Sequence, residues 1–193
     1  MSEKTSDYIT TCAELLIAKG LTLAFAESAT CGRIAADFSL ASDAGKFLMG
    51  GLGCYNACIK ENLLDVDPQL IKQFTPESPE VTLAITQGLG KLFQADLLIG
   101  CTGLTCPGGS ETRDKPVGTM FIHGIHNGQT IFQDRSNFAG DQHDIIEGTI
   151  NRTAFLLQEY LKKSQVSNSF KVGKSLSELD NILPGAENSL PCR

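Results

Sequence analysis

Leu21–Phe38 reads LTLAFAESATCGRIAADF, and this stretch decides the fold. Leu21 to Ala26 is a short apolar run of strand length, as expected of a strand covered on both sides. Small and polar residues follow, and apolar positions then recur at helical spacing. A helix is predicted over Thr30 to Phe38, with Thr30 or Ser28 near its start as the cap. A buried strand that feeds directly into a helix is the unit from which α/β domains are built.

The flanking segments continue the alternation. Ile9, Cys12, Ala13, Leu16 and Ile17 share one helical face over Ser6 to Lys19, and Gly20 stops that helix. Phe47 to Asn56 is a glycine-rich apolar strand. Short helices are predicted over Ile59 to Leu64 and Pro68 to Phe74. Ser78-Pro79-Glu80 begins another: a capping serine, proline at the first helical position and an acid in the first turn. That helix continues to about Phe93. Asp96 to Cys101 is a second buried strand, and Cys106 to Lys115 is a polar, Gly-rich loop. Val117 to Ile125 and Thr130 to Asn137 read as strands joined in a hairpin through His126-Asn127-Gly128. Asp141 to Lys163 is a long helix. The sheet is expected to be mixed and mostly parallel, covered on both faces, with functional residues in loops at strand ends. Residues 1–163 form the expected domain. Beyond Lys163 the periodicity is lost, and 164–193 reads as a tail, partly ordered at most.

Composition bounds the function. Hydrophobic residues make up 41% of the 193, enough for a core without staples. The net charge of −6 argues against general nucleic-acid binding, since an acidic surface repels phosphate backbones. No window is long and apolar enough for a membrane helix, and Met1 to Thr10 lacks a signal-peptide core. A cytoplasmic protein with no membrane association is expected. Seven scattered cysteines, an odd number, fit free thiols in a reducing compartment. Cys54 and Cys58 lie four apart, but no second pair or histidines at ligand spacing accompany them, so no metal site is expected. No cofactor is expected either.

Three patches can carry chemistry. The first is Ala26 to Gly32, directly after the buried strand. A serine at a strand-to-helix junction can be exposed as a nucleophile, with helix-start N–H groups for an oxyanion or phosphate. Spacing alone favours the plainer role of Ser28 or Thr30 as a helix cap. The second pairs Tyr55 with Lys60. A lysine shielded from water can lose its proton and serve as a base, with the tyrosine relaying or orienting that proton. Spacing alone again favours the plain reading, a surface lysine and a half-buried tyrosine. The third is Thr102 to Ser110, whose backbone donors and hydroxyls at a strand end suit an anion or oxyanion. It is no Walker loop, lacking Gly-Lys-Ser/Thr.

Together the patches resemble, in order and approximate spacing, the CinA C-terminal family, whose best-known activity is nicotinamide mononucleotide (NMN) amidohydrolase. The family's Ala-Glu-Ser-Cys-Thr-Gly-Gly stands here as Ala26-Glu27-Ser28-Ala29-Thr30-Cys31-Gly32. Its Gly-Gly-x-x-x-Tyr-x-x-x-x-Lys appears as Gly50, Gly51, Tyr55 and Lys60. Its Thr-Gly-x-x-Gly-Pro-x-Gly-Gly appears as Thr102, Gly103 and Cys106 to Gly109, one residue shorter. Lys-Pro-Val-Gly-Thr is intact as Lys115 to Thr119, and Phe-x-Gly-Asp as Phe138 to Asp141. The resemblance covers roughly Asp7 to Lys163.

The resemblance implies a three-layer α/β/α sandwich and hydrolysis of the NMN carboxamide to nicotinate mononucleotide and ammonia. It implies Ser28 as nucleophile, Lys60 as general base and Tyr55 assisting. Around the small-molecule nucleotide it places Glu27, Thr30, Gly32, Thr102, Gly103, Thr105, Gly108, Gly109 and Lys115. Full-length members carry a further N-terminal nucleotide-processing domain for which this chain has no room. A stand-alone unit that self-associates as a homodimer is the expectation.

Some positions depart from the family. Arginines usual after Gly-Asp are Gln142 and Ile146 here, which removes forked partners for a phosphate. Such a loss costs roughly 1.5–3 kcal/mol. Arg33, Arg113 and Lys115 are the cations left to substitute. Ala29, Cys31 and Cys106 also replace family residues, and these changes are expected to fall in the pocket itself. The alternative expectation is a non-catalytic or differently selective relative that binds a small ligand or a protein partner.

Overall fold

The computed structural model of the protein describes residues 3–169. Helix α1 (Glu3–Lys19) leads to strand β1 (Leu23–Glu27), helix α2 (Arg33–Ser39) and strand β2 (Leu48–Gly53). Three helices follow, α3 (Ala57–Leu64), α4 (Pro68–Phe74) and α5 (Pro79–Leu89), before strand β3 (Leu97–Gly103). Strands β4 (Thr119–His126) and β5 (Gln129–Asn137) and helix α6 (Gln142–Ser169) complete the described chain.

The five strands form one sheet in the order β2-β1-β3-β4-β5. β1 is parallel to both its neighbours, and β4 is antiparallel to β3 and to β5. Only β4 therefore runs against the rest, which gives the expected mixed sheet. Alternate residues of β1 feed two cores. Leu23 and Phe25 join Leu16 of α1, Phe38 of α2 and Leu157 of α6. Ala24 and Ala26 join Leu64 of α3 and Val81, Ile85 and Leu89 of α5. Helices thus cover both faces, and the unbroken apolar runs in β1 and β3 follow from that double burial.

Local chemistry sets the boundaries. Asn127 and Gly128 both have positive φ, 48° and 77°, as a two-residue turn with the twist of its flanking strands requires. Ser78 caps α5, its hydroxyl accepting from Val81 N–H at 3.2 Å, with Pro79 in the first turn. Helix α5 ends at Leu89, short of Phe93, because Gly90 and Lys91 close with three-residue turns onto Gln87 and Gly88. Helix α6 runs to Ser169, past Lys163, so the first six residues of the expected tail are helical. Its remainder, 170–193, lies outside the described residues. Helix α2 starts at Arg33, later than Thr30, for a reason that belongs to the site.

Helix α5 lies directly against β3 at Gly100. A methyl group there would fall 2.0 Å from Thr86 Oγ1 and 2.9 Å from the Thr82 carbonyl oxygen. Gly100→Ala is expected to lower stability by about 1–3 kcal/mol through overpacking. Denaturant unfolding measures it, and an unchanged midpoint would contradict so close an approach.

Candidate active site

The carboxyl ends of β1 and β3 meet at Ser28. Its N–H donates to the Cys101 carbonyl at 2.9 Å, extending the ladder one residue past β1. Its carbonyl accepts from Cys31 N–H at 3.1 Å and turns the chain sharply. Cys31 has φ 48° and Gly32 φ 94°, two successive left-handed residues ahead of α2. Cys31 therefore occupies the kind of backbone position that favours glycine.

Glu27 holds this turn. It is 0% exposed, and its carboxylate accepts four hydrogen bonds. The donors are Thr30 Oγ1 at 2.7 Å, Gly32 N–H and Ile34 N–H at 3.0 Å, and Ala35 N–H at 2.8 Å. The first amides of α2 are thus spent on Glu27. This corrects two expectations: neither Ser28 nor Thr30 caps the helix, and its start is closed to an oxyanion or phosphate. Glu27, Thr30 and Gly32 hold the loop from behind rather than lining the pocket.

The pocket is a cavity of about 110 Å³ walled by Ser28, Ala29, Tyr55, Glu77, Gly103, Leu104, Thr105, Cys106 and Gly109. It gathers five of the residues expected from the sequence: Ser28, Tyr55, Gly103, Thr105 and Gly109. Ala29 and Cys106, two of the departures, lie there as well, while Cys31 is exposed beside Gly53. Ser28 is nearly buried, and its hydroxyl makes no hydrogen bond among the described residues. The N–H groups of Ala29, Thr105 and Cys106 are likewise unbonded among the described residues, so backbone donors remain for an oxyanion.

Other expected residues sit elsewhere. Thr102 is fully buried, its hydroxyl 2.7 Å from Thr82 Oγ1 on α5, which ties strand to helix. Gly108 N–H donates to Glu111 on the exposed loop. Lys115 Nζ donates to Thr75 Oγ1, the Glu77 carbonyl and Ser110 Oγ at 2.7, 2.8 and 2.7 Å. All three protons are used, which makes Lys115 a clamp on the Gly-rich loop. Tyr55, expected to be half-buried, is 59% exposed at the cavity mouth.

Lys60 is 1% exposed, against the plain surface reading. Its Nζ donates to the carbonyls of Cys54 at 2.7 Å and Tyr55 at 3.3 Å, leaving one proton uncommitted and making no bond to Ser28. Burial pushes its pKa below the ordinary lysine value, opposed by the neighbouring Cys54 thiol and Glu77 carboxylate. Gln142, at one position of the missing arginines, reaches the cavity wall, its Nε2 donating to Thr105 Oγ1 at 3.2 Å. Ile146 lines a separate shallow hollow with Asp141, Gln142 and His143.

No motif or spacing in the sequence points to Glu77. The signal available was topological: a helix that precedes a parallel strand starts over the carboxyl end of the sheet. The loop entering α5 therefore belongs beside Ser28.

A three-layer α/β/α domain with a serine-bearing cavity at the carboxyl ends of its parallel strands defines the class. The chain matches the CinA C-terminal domain over residues 5–161 and belongs to that family. A CinA-like protein from Desulfotalea psychrophila is 34% identical over 153 residues, 77% of this chain and 35% of that protein. The chain spans about a third of the length of the curated relatives it matches. A solved CinA superfamily protein from Klebsiella pneumoniae is 28% identical with a TM-score of 0.77, covering 82% of this chain and 98% of that one. The competence/damage inducible protein CihA from Agrobacterium tumefaciens has the same fold, with a TM-score of 0.78 at 19% identity over 83% of this chain and 97% of its own.

Glu27→Ala would leave the buried N–H of Ile34, the part-buried N–H groups of Gly32 and Ala35 and the Thr30 hydroxyl without this acceptor. A loss of about 3 kcal/mol or more is expected in denaturant unfolding. A loss under about 1 kcal/mol would show that the loop does not depend on this carboxylate.

Proposed function

We propose that the protein is a serine amidohydrolase acting on the carboxamide of nicotinamide mononucleotide or a related pyridine nucleotide. The observation that carries this reading is the uncommitted Ser28 hydroxyl in a small cavity beside unbonded backbone N–H groups. Hydrolysis of an amide needs an activated serine, a stabilised oxyanion and a proton for the departing nitrogen. Ser28 Oγ attacks the carbonyl carbon as its proton passes to a base. The oxyanion falls to donors among Ala29, Thr105 and Cys106. Ammonia leaves with a proton, and water then cleaves the ester on Ser28.

Lys60 is the base we assign. Its burial favours the neutral amine, and its carbonyl contact to Tyr55 ties it to the cavity mouth. At about 110 Å³ the cavity admits only the reacting end of a nucleotide, since ligand sites for larger molecules run to ~300–1,000 Å³. A hollow of about 590 Å³ adjoins it across Glu77, walled also by Phe74, Phe121 and Arg135, and has room for the remainder. Gln142 on Thr105 supports a second reading, a relative with altered substrate choice, because a neutral amide stands at the wall.

Ammonia release from NMN by the purified protein tests the assignment. Turnover is expected, and Ser28→Ala is expected to lower it at least about a thousandfold while leaving binding within a few-fold. A folded wild-type sample without turnover moves the assignment to the second reading. The pH dependence tests the base. Activity should rise with pH as Lys60 loses its proton, with a midpoint below the ~10.4 of a free lysine. Lys60→Arg, charged at every accessible pH, should be inactive. A kcat/KM profile unchanged in Lys60→Met would assign the base elsewhere.

A further inference from the structure

The cavity wall holds one charged residue among the described residues, Glu77. Three hydrogen bonds fix it. Its carboxylate Oε2 accepts from Ser110 Oγ, Ser110 Oγ accepts from Lys115 Nζ, and Lys115 Nζ also donates to Glu77's own carbonyl. The second carboxylate oxygen, Oε1, makes no hydrogen bond among the described residues. A held carboxylate with one free oxygen therefore stands in the same small cavity as the Ser28 hydroxyl. An ionised carboxylate can only accept hydrogen bonds. A primary carboxamide brings two N–H donors to such an acceptor; the carboxylate formed by its hydrolysis brings none and carries the same charge.

We propose that Glu77 is the specificity-determining residue that accepts the carboxamide N–H of the substrate and rejects the carboxylate product. This rests on the amidohydrolase reading above. Binding the nitrogen at Glu77 turns the carbonyl carbon toward Ser28 and its oxygen toward the backbone donors of the Gly-rich loop. After hydrolysis the product faces a like charge in a confined space, and repulsion drives it out. The same residue thus orients the substrate and limits product inhibition.

Calorimetric titration separates the inference from the reading it rests on. NMN and nicotinate mononucleotide are titrated into Ser28→Ala and into Ser28→Ala/Glu77→Gln, while ammonia release is followed in the otherwise wild-type protein. With Glu77 present, the amide should bind at least about tenfold tighter than the acid. The glutamine offers a donor as well as an acceptor, so it should shrink that preference to near unity by tightening the acid. Ser28→Ala/Glu77→Asp keeps the acceptor-only charge and should keep the preference, which guards against an effect of misfolding in the glutamine variant. Equal affinity for the two nucleotides with Glu77 present, or a preference untouched by the glutamine, overturns the role of Glu77 even if ammonia is released. Absence of ammonia release overturns the amidohydrolase reading and leaves any amide preference as a binding property alone.

Discussion

The buried carboxylate of Glu27 is the constraint on which the site depends. A charge fully out of water is costly unless it is hydrogen-bonded, and here four donors meet it. Three of them are amides that the start of α2 would otherwise leave unsatisfied. One side chain therefore solves two problems: it neutralises the orphan donors of the helix, and it fixes where the chain leaves β1. Ser28 follows immediately, in a turn tight enough to need left-handed residues at Cys31 and Gly32. The serine's position is set by what lies behind it.

The opposite wall is fixed by different means. Gly100 lets α5 approach β3, and the Thr82–Thr102 contact locks that approach one strand residue-pair further on. The loop leaving β3 is tied to the loop entering α5 by Lys115, through Thr75, Glu77 and Ser110. Burial lowers the pKa of Lys115, and the neighbouring Glu77 acts in the other direction. Walls held this way need little rearrangement to receive a ligand, and under the proposed function such preorganisation is what oxyanion stabilisation requires.

How much of this was legible varies with the range of the signal. The buried strands are legible because Leu23 to Ala26 and Leu97 to Ile99 are apolar on both faces, and the β4–β5 hairpin because Asn-Gly accepts the positive φ it needs. Ser28 and the Gly-rich loop could be read as a site because they follow such strands. The work of Glu27 could not. A cap reaching forward from a strand to residues as far as Ala35 leaves no periodic trace, and the local serine and threonine offer a simpler pattern. Thr102 and Lys115 carry hydroxyl and ammonium groups suited to a ligand, yet Thr102 pairs with Thr82, and Lys115 donates to Thr75 and Glu77, distant in sequence, as well as to nearby Ser110. Side-chain type alone points to a half-buried Tyr55 and a surface Lys60, since a tyrosine usually buries its ring and a lysine its stem only; the structure exposes the first and buries the second, and only the family resemblance, not the spacing, sets Lys60 apart as a shielded lysine. Glu77 needed the topology before it could be placed at all.

Under the proposed function, the carboxamide enters the cavity between Ser28 and the loop after β3. A crystal structure of the Ser28→Ala protein with NMN bound decides this. The carboxamide is expected inside that cavity, its carbonyl carbon beside the position vacated by the serine hydroxyl and the ribose phosphate running out past Glu77. A nucleotide seated elsewhere, for example in the aromatic hollow formed by Tyr8, Phe138 and Phe155, would contradict it.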